Sequence, residues 1–430
     1  MRGKKGSFLA IKGGMPVLRK PLPPIHNHGK EEIAAATRVI RRGPLSGFVG
    51  VADHRFLGGT EVRGFEAEFA KKFKVKHAVS FNSATTALHG AVVALGIGPG
   101  DEVIVPPYTM SASATAILMN GATPIFADID EKTCCLDPQS VRARITKRTK
   151  AIMVVNLFGQ AADFGKLLSI AKEHKLKIIE DNAQSPGATW RGTYTGTIGD
   201  IGVFSLNVHK TMQTGEGGVL VTNNKTYALR AQLCRNHGEA VVDGLVDYDG
   251  GPIFGSNYRM AELIAAIARV QLKRLDYLTK KRQALAVRLT KGLTGIPGIT
   301  PSYTHPDNVH VYYRYAMWID EKELGISRNI LADAMAAEGF PISKGYVKPV
   351  YLMPLFQERK AFNETRFPFA KSVYYDGNPD YSKGICPVVE RLYEKEFTVT
   401  DVCQHPYTKA HVDLFVKALK KVLEHRDELT

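Results

Sequence analysis

The sequence predicts an α/β fold in which helices cover both faces of a mostly parallel sheet. Short apolar runs bounded by turn-forming residues recur through the first two-thirds of the chain, and helical patterns such as residues 161–174 lie between several of them. Apolar strands that alternate with helices are typical of a parallel sheet buried on both faces. The predicted strands are residues 102–105, 123–129, 151–155, 176–180, 201–204 and 218–222.

The chain of 430 residues exceeds the usual size of one domain, so we expect a large domain and a smaller companion. We predict a basic N-terminal arm over residues 1–30, a large domain over 31–276 and a small C-terminal α+β domain over 277–430. A long helix, residues 260–275, bridges the two domains. The C-terminal region is predicted to hold a strand and two helices, residues 309–319, 327–339 and 409–425.

The composition is that of a globular protein with an excess of positive charge. The formal net charge is +15, and residues 1–30 contain Lys and Arg but no Asp or Glu. This charge favours anionic substrates, such as nucleoside diphosphates, or an anionic surface, although a solvated basic tail would have the same composition. No nucleic-acid motif is apparent.

The five cysteines have no metal-binding spacing and are typical of a reduced, cytoplasmic protein. We therefore predict no metal site. No apolar run reaches membrane-spanning length, and the first residues do not form a secretory leader, so we expect no membrane span.

Lys210 is the strongest functional candidate. It lies between a strand that ends near Ser205 and the glycine-rich turn 215–218, where a lysine can hold an aldehyde cofactor as a Schiff base. Asp181 ends another apolar run, and ligands of open α/β sheets bind at the carboxyl ends of strands. A carboxylate there could stay ionised beside a pyridinium nitrogen. The pair indicates pyridoxal 5'-phosphate, although Asp181 could also be a helix cap.

Two segments could bind the phosphate of such a cofactor. Residues 81–90 follow a strand and open a helix, so that Ala84 and Thr85 would present backbone N–H groups and a hydroxyl. Ser205 lies five positions before Lys210 and presents a second hydroxyl. Gln184, three residues after Asp181, could hydrogen-bond the ring hydroxyl. Ser and Thr also begin helices as simple caps.

These motifs together resemble the DegT/DnrJ/StrS family of nucleotide-sugar aminotransferases, which have the fold of aspartate aminotransferase, type I. The resemblance runs from about Gly43 to about Asp276. It implies a large domain with a seven-stranded, mostly parallel sheet. The motifs are Asn82 to Leu88, Glu180 to Gln184, Phe204 to Lys210, Gly215 to Gly218 and Gly255 to Met260.

The resemblance implies a role for each matching residue. Lys210 would form the Schiff base, Asp181 would meet the pyridine nitrogen and Gln184 the ring hydroxyl. Ala84, Thr85 and Ser205 would bind the phosphate. Asn257 resembles a residue that the partner subunit contributes to the same phosphate, which implies a homodimer with shared active sites.

The chain departs from the family pattern at two positions of the cofactor site. Met110 stands where an aromatic ring usually stacks on the cofactor, so either its sulfur or the nearby Tyr108 would take that place. Ala84 stands where glycine is more usual. His209 adjoins Lys210, and a related branch that removes a sugar hydroxyl has histidine at the lysine position. Because lysine is present, we predict a transaminase and treat His209 as a wall residue.

The predicted reaction moves an amino group from glutamate or glutamine to a keto group, with pyridoxamine 5'-phosphate as the intermediate form of the cofactor. The acceptor would be a nucleoside-diphosphate-linked 3- or 4-keto sugar used for a surface glycan or a secondary metabolite. Keto-cyclitols and amino-shikimate-type rings remain alternatives. A sugar dehydratase or a regulator that keeps the pocket without turnover is an alternative of another class.

Substrate contacts are harder to predict. The region 340–380 is rich in Tyr, Phe, Pro and Lys, although such loops often serve packing. Its candidates are Lys344, Tyr346, Lys348 and Tyr351. Arg259 could bind the donor's carboxylate or pair with Glu262.

Overall fold

The computed structural model describes residues 8–242, 244–245, 251 and 253–429. Its strands, in chain order, are β1 (His77–Phe81), β2 (Glu102–Val105), β3 (Thr123–Phe126), β4 (Thr149–Val155), β5 (Lys177–Asp181), β6 (Thr189–Trp190), β7 (Thr193–Tyr194), β8 (Ile201–Ser205), β9 (Gly218–Thr222), β10 (Ile299–Thr300), β11 (Asn308–Val309), β12 (Tyr315–Ile319) and β13 (Phe397–Thr400).

The large sheet has seven strands in the order β1-β9-β8-β5-β4-β2-β3. The pairs β2–β3, β2–β4, β4–β5 and β5–β8 are parallel, whereas β9 runs antiparallel to both of its neighbours. The predicted mostly parallel sheet is confirmed. All six predicted strands are present, with β3 ending at Phe126 rather than at residue 129.

The α-helices, in chain order, are α1 (Lys30–Arg42), α2 (Thr60–Phe73), α3 (Ala84–Ala94), α4 (Ala112–Met119), α5 (Pro138–Arg144), α6 (Phe164–His174), α7 (Lys225–Arg235), α8 (Glu239–Val242), α9 (Glu262–Leu293), α10 (Glu321–Leu324), α11 (Arg328–Ala337), α12 (Pro354–Gln357), α13 (Pro387–Arg391) and α14 (Lys409–Glu424). Helix α3 packs on β8 and β9, and its residues from Ala87 to Ala94 are buried; all of them except His89 are small or apolar. Within the described ranges, no helix has both the length and the apolar character needed to cross a bilayer.

The long helix α9 joins two hydrophobic cores. Its first half packs Ala265 and Leu272 into a core under the large sheet, and its second half packs Leu285 and Leu289 against α11, α14 and the small sheet β10-β12-β13. The helix is continuous through residue 276, where we predict the domain boundary. That boundary stays a prediction.

The N-terminal segment is anchored over its described part. Leu9 is fully buried in the C-terminal core, and the backbone N–H groups of Ala10 and Val17 donate to Glu338. This part of the segment is therefore not a free tail, but the side chains of Lys12, Arg19 and Lys20 are exposed, so the role of the charge stays a prediction. Residues 1–7, with three of the basic side chains, lie outside the described residues.

The predicted strand 309–319 is wrong in its first half. Tyr312 has a φ of +50°, which an extended strand does not allow. The backbone N–H groups of Val311 and Tyr313 donate instead to the carbonyls of Gly159 and Phe158. The chain therefore turns before β12 starts at Tyr315.

Candidate active site

A cavity of about 720 Å³ opens at the carboxyl edge of the large sheet. Asp181 is the last residue of β5, Ser205 is the last of β8, and α3 begins at Ala84, three residues after the end of β1. Their meeting at one edge is the usual location of a ligand in an open α/β sheet. The predicted site residues that line the cavity are Ala84, Thr85, Met110, Asp181, Gln184, Ser205, His209, Lys210 and Tyr346.

Lys210 presents its amine inside this cavity. Its backbone N–H donates to Asn207 at 2.8 Å in the turn after β8, and its Nζ lies 4.7 Å from the centre of the Tyr313 ring. Burial lowers the pKa of the Lys210 amine, and repulsion from Arg314 acts in the same direction while Tyr346 and Asp181 oppose it. A larger fraction of this amine is therefore neutral than in an exposed lysine.

Asp181 is a buried carboxyl at the end of β5. Its oxygens accept hydrogen bonds from Ser113 Oγ at 2.7 Å and from the backbone N–H of Ala183 at 3.1 Å. Burial nevertheless raises the pKa of the Asp181 carboxyl above its ordinary value. A cation bound against this carboxyl would favour its ionised form.

The N-terminus of α3 forms an anion-binding corner. Ser83 caps the helix by accepting from Thr86 N at 3.1 Å, while the N–H groups of Ala84 and Thr85 have no acceptor within the helix. A Cβ at Gly218 would lie 2.4 Å from the Ser83 carbonyl oxygen and 2.6 Å from Ala84 N. Only glycine at this position lets β9 approach the start of α3 so closely.

Gln184 and Tyr346 form one wall of the cavity. The Gln184 side chain accepts from Phe158 N at 2.9 Å and donates from Nε2 to the Tyr346 hydroxyl at 2.9 Å. One N–H of the Gln184 amide remains for a ligand. Both contacts fix the orientation of the amide toward the cavity residues.

The stacking role predicted for Tyr108 is wrong. Its ring is fully buried edge-on against Tyr346 and Phe397, and its hydroxyl accepts from Tyr346 N at 2.9 Å. Tyr108 therefore supports the wall from behind. Met110 lines the cavity and is 63% exposed, so it is the residue available to contact a ligand ring.

Four of the predicted substrate residues do not line the cavity, namely Arg259, Lys344, Lys348 and Tyr351. Lys344 is exposed and pairs with Asp333 at 2.7 Å. Arg259 donates from Nε to Asn257 Oδ1 at 2.8 Å, and Glu262, the partner considered for it, accepts instead from the backbone of residues 61 and 62. Neither Arg259 nor Asn257 lines the cavity of its own chain.

The sequence did not identify the cavity residues that come from the C-terminal region. These are Tyr313, Arg314, Asp401 and Gln404. Asp401 directly follows β13, which we did not predict, although its sequence Phe-Thr-Val-Thr has the β-branched pattern of a strand. A carboxylate or guanidinium next to a strand end is a signal that could have been used.

The described residues contain no group of three or more His, Cys, Asp or Glu side chains that could hold a metal ion. The side chains that line the cavity include an amine, a guanidinium, carboxyls and hydroxyls, and the N-terminus of α3 opens into it.

Residues 49–378 match the DegT/DnrJ/EryC1/StrS aminotransferase family. The chain belongs to this family. The predicted family, fold type and enzyme class, a transaminase dependent on pyridoxal phosphate, are thereby confirmed. Pyridoxal phosphate is a general property of the family.

Three relatives illustrate the range within this aminotransferase family. The chain is 40% identical to GDP-perosamine synthase of Caulobacter vibrioides over 294 residues, 67% of this chain and 77% of that protein. It is 36% identical to the spore coat polysaccharide biosynthesis protein SpsC of Bacillus subtilis over 352 residues, 80% and 88% of the two chains. L-glutamine:2-deoxy-scyllo-inosose aminotransferase of Streptomyces kanamyceticus is 34% identical over 433 residues, 98% of both chains.

A solved structure has the same overall fold. The aminotransferase from Psychrobacter cryohalolentis superposes with a TM-score of 0.81 at 30% identity, over 94% of this chain and 99% of that chain. The aminotransferase fold therefore extends beyond residues 49–378 to nearly the whole chain.

Proposed function

We propose that this aminotransferase binds pyridoxal 5'-phosphate through Lys210 and moves an amino group from glutamate or glutamine to the ketone of a sugar ring. The first acceptor class is a nucleoside-diphosphate-linked 3- or 4-keto sugar. The observation that carries the proposal is that the Lys210 amine, the Asp181 carboxyl and the N-terminus of α3 face a single cavity.

The donor set fits the cofactor. The N–H groups of Ala84 and Thr85 and the Ser205 hydroxyl suit a phosphate, and the buried Asp181 carboxyl suits a protonated ring nitrogen. Met110 would lie against the ring, and the free N–H of Gln184 would donate to the ring hydroxyl. When bound, the cofactor supplies an electron sink for the carbanion left when the Cα proton of the donor departs.

Lys210 would carry the protons of both half-reactions. Its lowered pKa increases the neutral fraction of the amine, which is the form that can accept a proton from the donor's Cα. Lys210 Nζ would then give this proton to the bound cofactor and become neutral again. In the second half-reaction Lys210 moves a proton in the opposite direction, so one base serves both substrates.

The active site would be shared between two subunits in the cytoplasm. Asn257 is exposed and does not line the cavity of its own chain, which supports a role toward a partner's phosphate site.

The five cysteines are all free and buried, as expected for a reducing compartment.

A keto-cyclitol is the second candidate acceptor. The match to the 2-deoxy-scyllo-inosose aminotransferase covers 98% of both chains, whereas the match to GDP-perosamine synthase covers 67% of this chain. The C-terminal cavity residues therefore fall inside the cyclitol enzyme's match.

Absorption spectroscopy tests the proposal. Purified protein is expected to show the visible band of a lysine-bound cofactor, and Lys210→Ala should abolish it. Glutamate or glutamine should then bleach the band in the wild-type protein. A panel of 3-keto and 4-keto sugar nucleotides and keto-cyclitols, added to the bleached enzyme, should contain one class that restores the band.

Each outcome is informative. A visible band that survives Lys210→Ala would refute the role of that lysine. A wild-type spectrum that neither amino acid changes would refute transamination from these donors. Restoration by cyclitols alone would exchange the first acceptor class for the second.

A further inference from the structure

Arg314 and Asp401 form an ion pair at the cavity that follows directly from strand pairing. Arg314 precedes β12 and Asp401 follows β13, and these strands are antiparallel with Tyr315 opposite Thr400. The next pair in this register brings the guanidinium and the carboxylate together at the end of the ladder. Both side chains line the cavity, and they are 29% and 32% exposed.

The pair leaves part of the guanidinium available. Arg314 donates from Nε to Asp401 Oδ1 at 2.8 Å and from Nη2 to Oδ2 at 2.5 Å, so Asp401 occupies one edge of the planar fork. Gln404 donates to the same carboxylate at 2.7 Å and helps to hold it. In the described part of the chain, Nη1 of Arg314 has no hydrogen-bond acceptor. The edge formed by Nη1 and Nη2 can therefore bind a second carboxylate.

Arg314 is also close to the reacting lysine. The Lys210 amine lies over the ring of Tyr313, the residue before Arg314. The positive charge of Arg314 repels that of the Lys210 amine. Among the described residues that line the cavity, Lys210 is the one lysine and Arg314 the one arginine. Since Lys210 is needed for proton transfer, Arg314 is the cation available to an anionic group of a substrate.

We propose that Arg314 binds the α-carboxylate of the amino donor through its Nη1–Nη2 edge, while Asp401 holds the fork in place from the other edge. This inference rests on the proposed function and names the donor-recognition residue of the same site. Arg314, which lines the cavity, would thus have the role that the sequence suggested for Arg259.

The position of Arg314 favours the donor over the diphosphate of an acceptor. In an amino acid, the α-carboxylate and the reacting amine are attached to one carbon, so the carboxylate must lie next to Lys210. A diphosphate is separated from the reacting ketone by a sugar ring. The chemistry of a carboxylate also matches the planar fork, which binds it through two parallel hydrogen bonds.

The test compares Arg314→Gln and Arg314→Lys with Asp401→Asn in the enzyme as purified. The bleaching rate at increasing glutamate gives the apparent affinity and the limiting rate of the first half-reaction. Binding of 2-oxoglutarate, measured by calorimetry, gives a readout that does not depend on turnover. Arg288→Gln is the matched control, because Arg288 makes an equivalent two-bond pair with Asp413 outside the cavity.

Arg314→Gln is expected to weaken glutamate and 2-oxoglutarate binding by about 30-fold, while the limiting rate changes by less than about threefold. Arg314→Lys should recover part of the affinity, since it keeps the charge but loses the fork. Asp401→Asn should weaken donor binding much less than Arg314→Gln, because it loses one of the two bonds that hold the fork but also removes the opposing charge. Arg288→Gln should behave like wild type.

Unchanged affinities in Arg314→Gln would overturn the inference, as would equal losses in Arg314→Gln and Asp401→Asn, which would indicate a purely structural ion pair. If the wild-type enzyme reacts with donors and Arg314→Gln binds them normally, only this inference fails. If the wild-type enzyme reacts with no donor, the proposed function fails and the inference falls with it.

Discussion

His310 is a buried histidine three residues before Tyr313. Its ring stacks on Tyr312 with the centroids 3.9 Å apart, and its Nδ1 accepts the backbone N–H of Tyr312 at 2.9 Å. A nitrogen that accepts an amide N–H carries no proton, so the folded protein holds the neutral ring. Burial lowers the pKa of His310 to about 3 from an ordinary value of 6.5.

This histidine should make folding stability sensitive to acid. Below pH 6.5 the unfolded chain binds a proton at His310 that the folded protein does not, so stability falls as the pH decreases from 6.5 toward 3. At pH 5.5 the loss should be roughly 1 kcal/mol. The measurement is the urea midpoint of wild type and His310→Gln at pH 7.5 and 5.5. Equal pH dependence in the two proteins would contradict the prediction.

At the residue scale, the sequence predicted the parts of the site that are set by local motifs. Asp181 ends a strand, Ala84 begins a helix and Lys210 lies in the turn after β8, so their location follows from the element boundaries. The direction of Tyr108 could not be predicted, because it depends on the packing of Phe397 more than 280 residues later. The role of Arg314 was not predicted for the same reason, since its partner Asp401 directly follows β13, a strand that the sequence analysis did not predict.

At the element scale, the N-terminal strap (residues 8–28) connects the C-terminal core to the cavity. Its start is held by Glu338, which is fully buried and also pairs with Lys421 at 2.8 Å. Near its end, Ile25 lines the cavity, and the carbonyl of Asn27 accepts from Arg274 at 2.7 Å. Ile25 of this segment, for which the sequence indicated only an excess of positive charge, thus contributes to the wall of the cavity.

Replacing Glu338 by Ala should release the start of the strap. The change leaves two backbone N–H groups without acceptors and Lys421 without its carboxylate, so the expected loss is about 3 kcal/mol. Urea unfolding measures the loss, and trypsin should cut faster after Arg19. Glu338→Gln, which retains an acceptor, serves as the milder control. Wild-type cleavage and an unchanged midpoint would show that the strap is held by other contacts.

Strand prediction succeeded where burial was continuous. The parallel strands β2, β4, β5 and β8 are buried over nearly their whole length and each contains an apolar run, so their sequence alone marks them. The segment before β12 failed because its apolar residues are buried in a turn around Tyr312, where the backbone bonds to residues 158 and 159. Apolar composition does not distinguish a buried turn from a strand.

At the scale of the whole molecule, one helix belongs to both hydrophobic cores. By our proposal, each active site also contains residues of two subunits. Helix α9 carries Leu272 in one core and Leu289 in the other. Asn257, five residues before α9, is exposed. If it completes the phosphate site of a partner, neither subunit alone has a whole site.

Co-expression of two inactive variants tests the shared site. Lys210→Ala lacks the base and Asn257→Ala is expected to lack the partner's phosphate contact, so each homodimer should be nearly inactive. A mixed dimer combines one intact lysine with one intact asparagine, and a random mixture should regain about a quarter of wild-type activity. No gain over the separate variants would argue for sites built within one chain. Sedimentation of the mixture verifies that dimers form.

The contact between Gly218 and the start of α3 has a consequence for protein engineering. The distance of 2.4 Å from a virtual Cβ to the Ser83 carbonyl leaves no room for even one methyl group. Attempts to broaden the acceptor range should therefore leave the junction of β9 and α3 untouched and vary wall positions without a role toward the cofactor, such as Ile25. Because Gly218 has no Cβ, β9 can lie against the start of α3 and shape the anion-binding corner. Mutational libraries that keep Gly218 therefore keep the proposed phosphate site of the cofactor, on which the reaction with any acceptor depends.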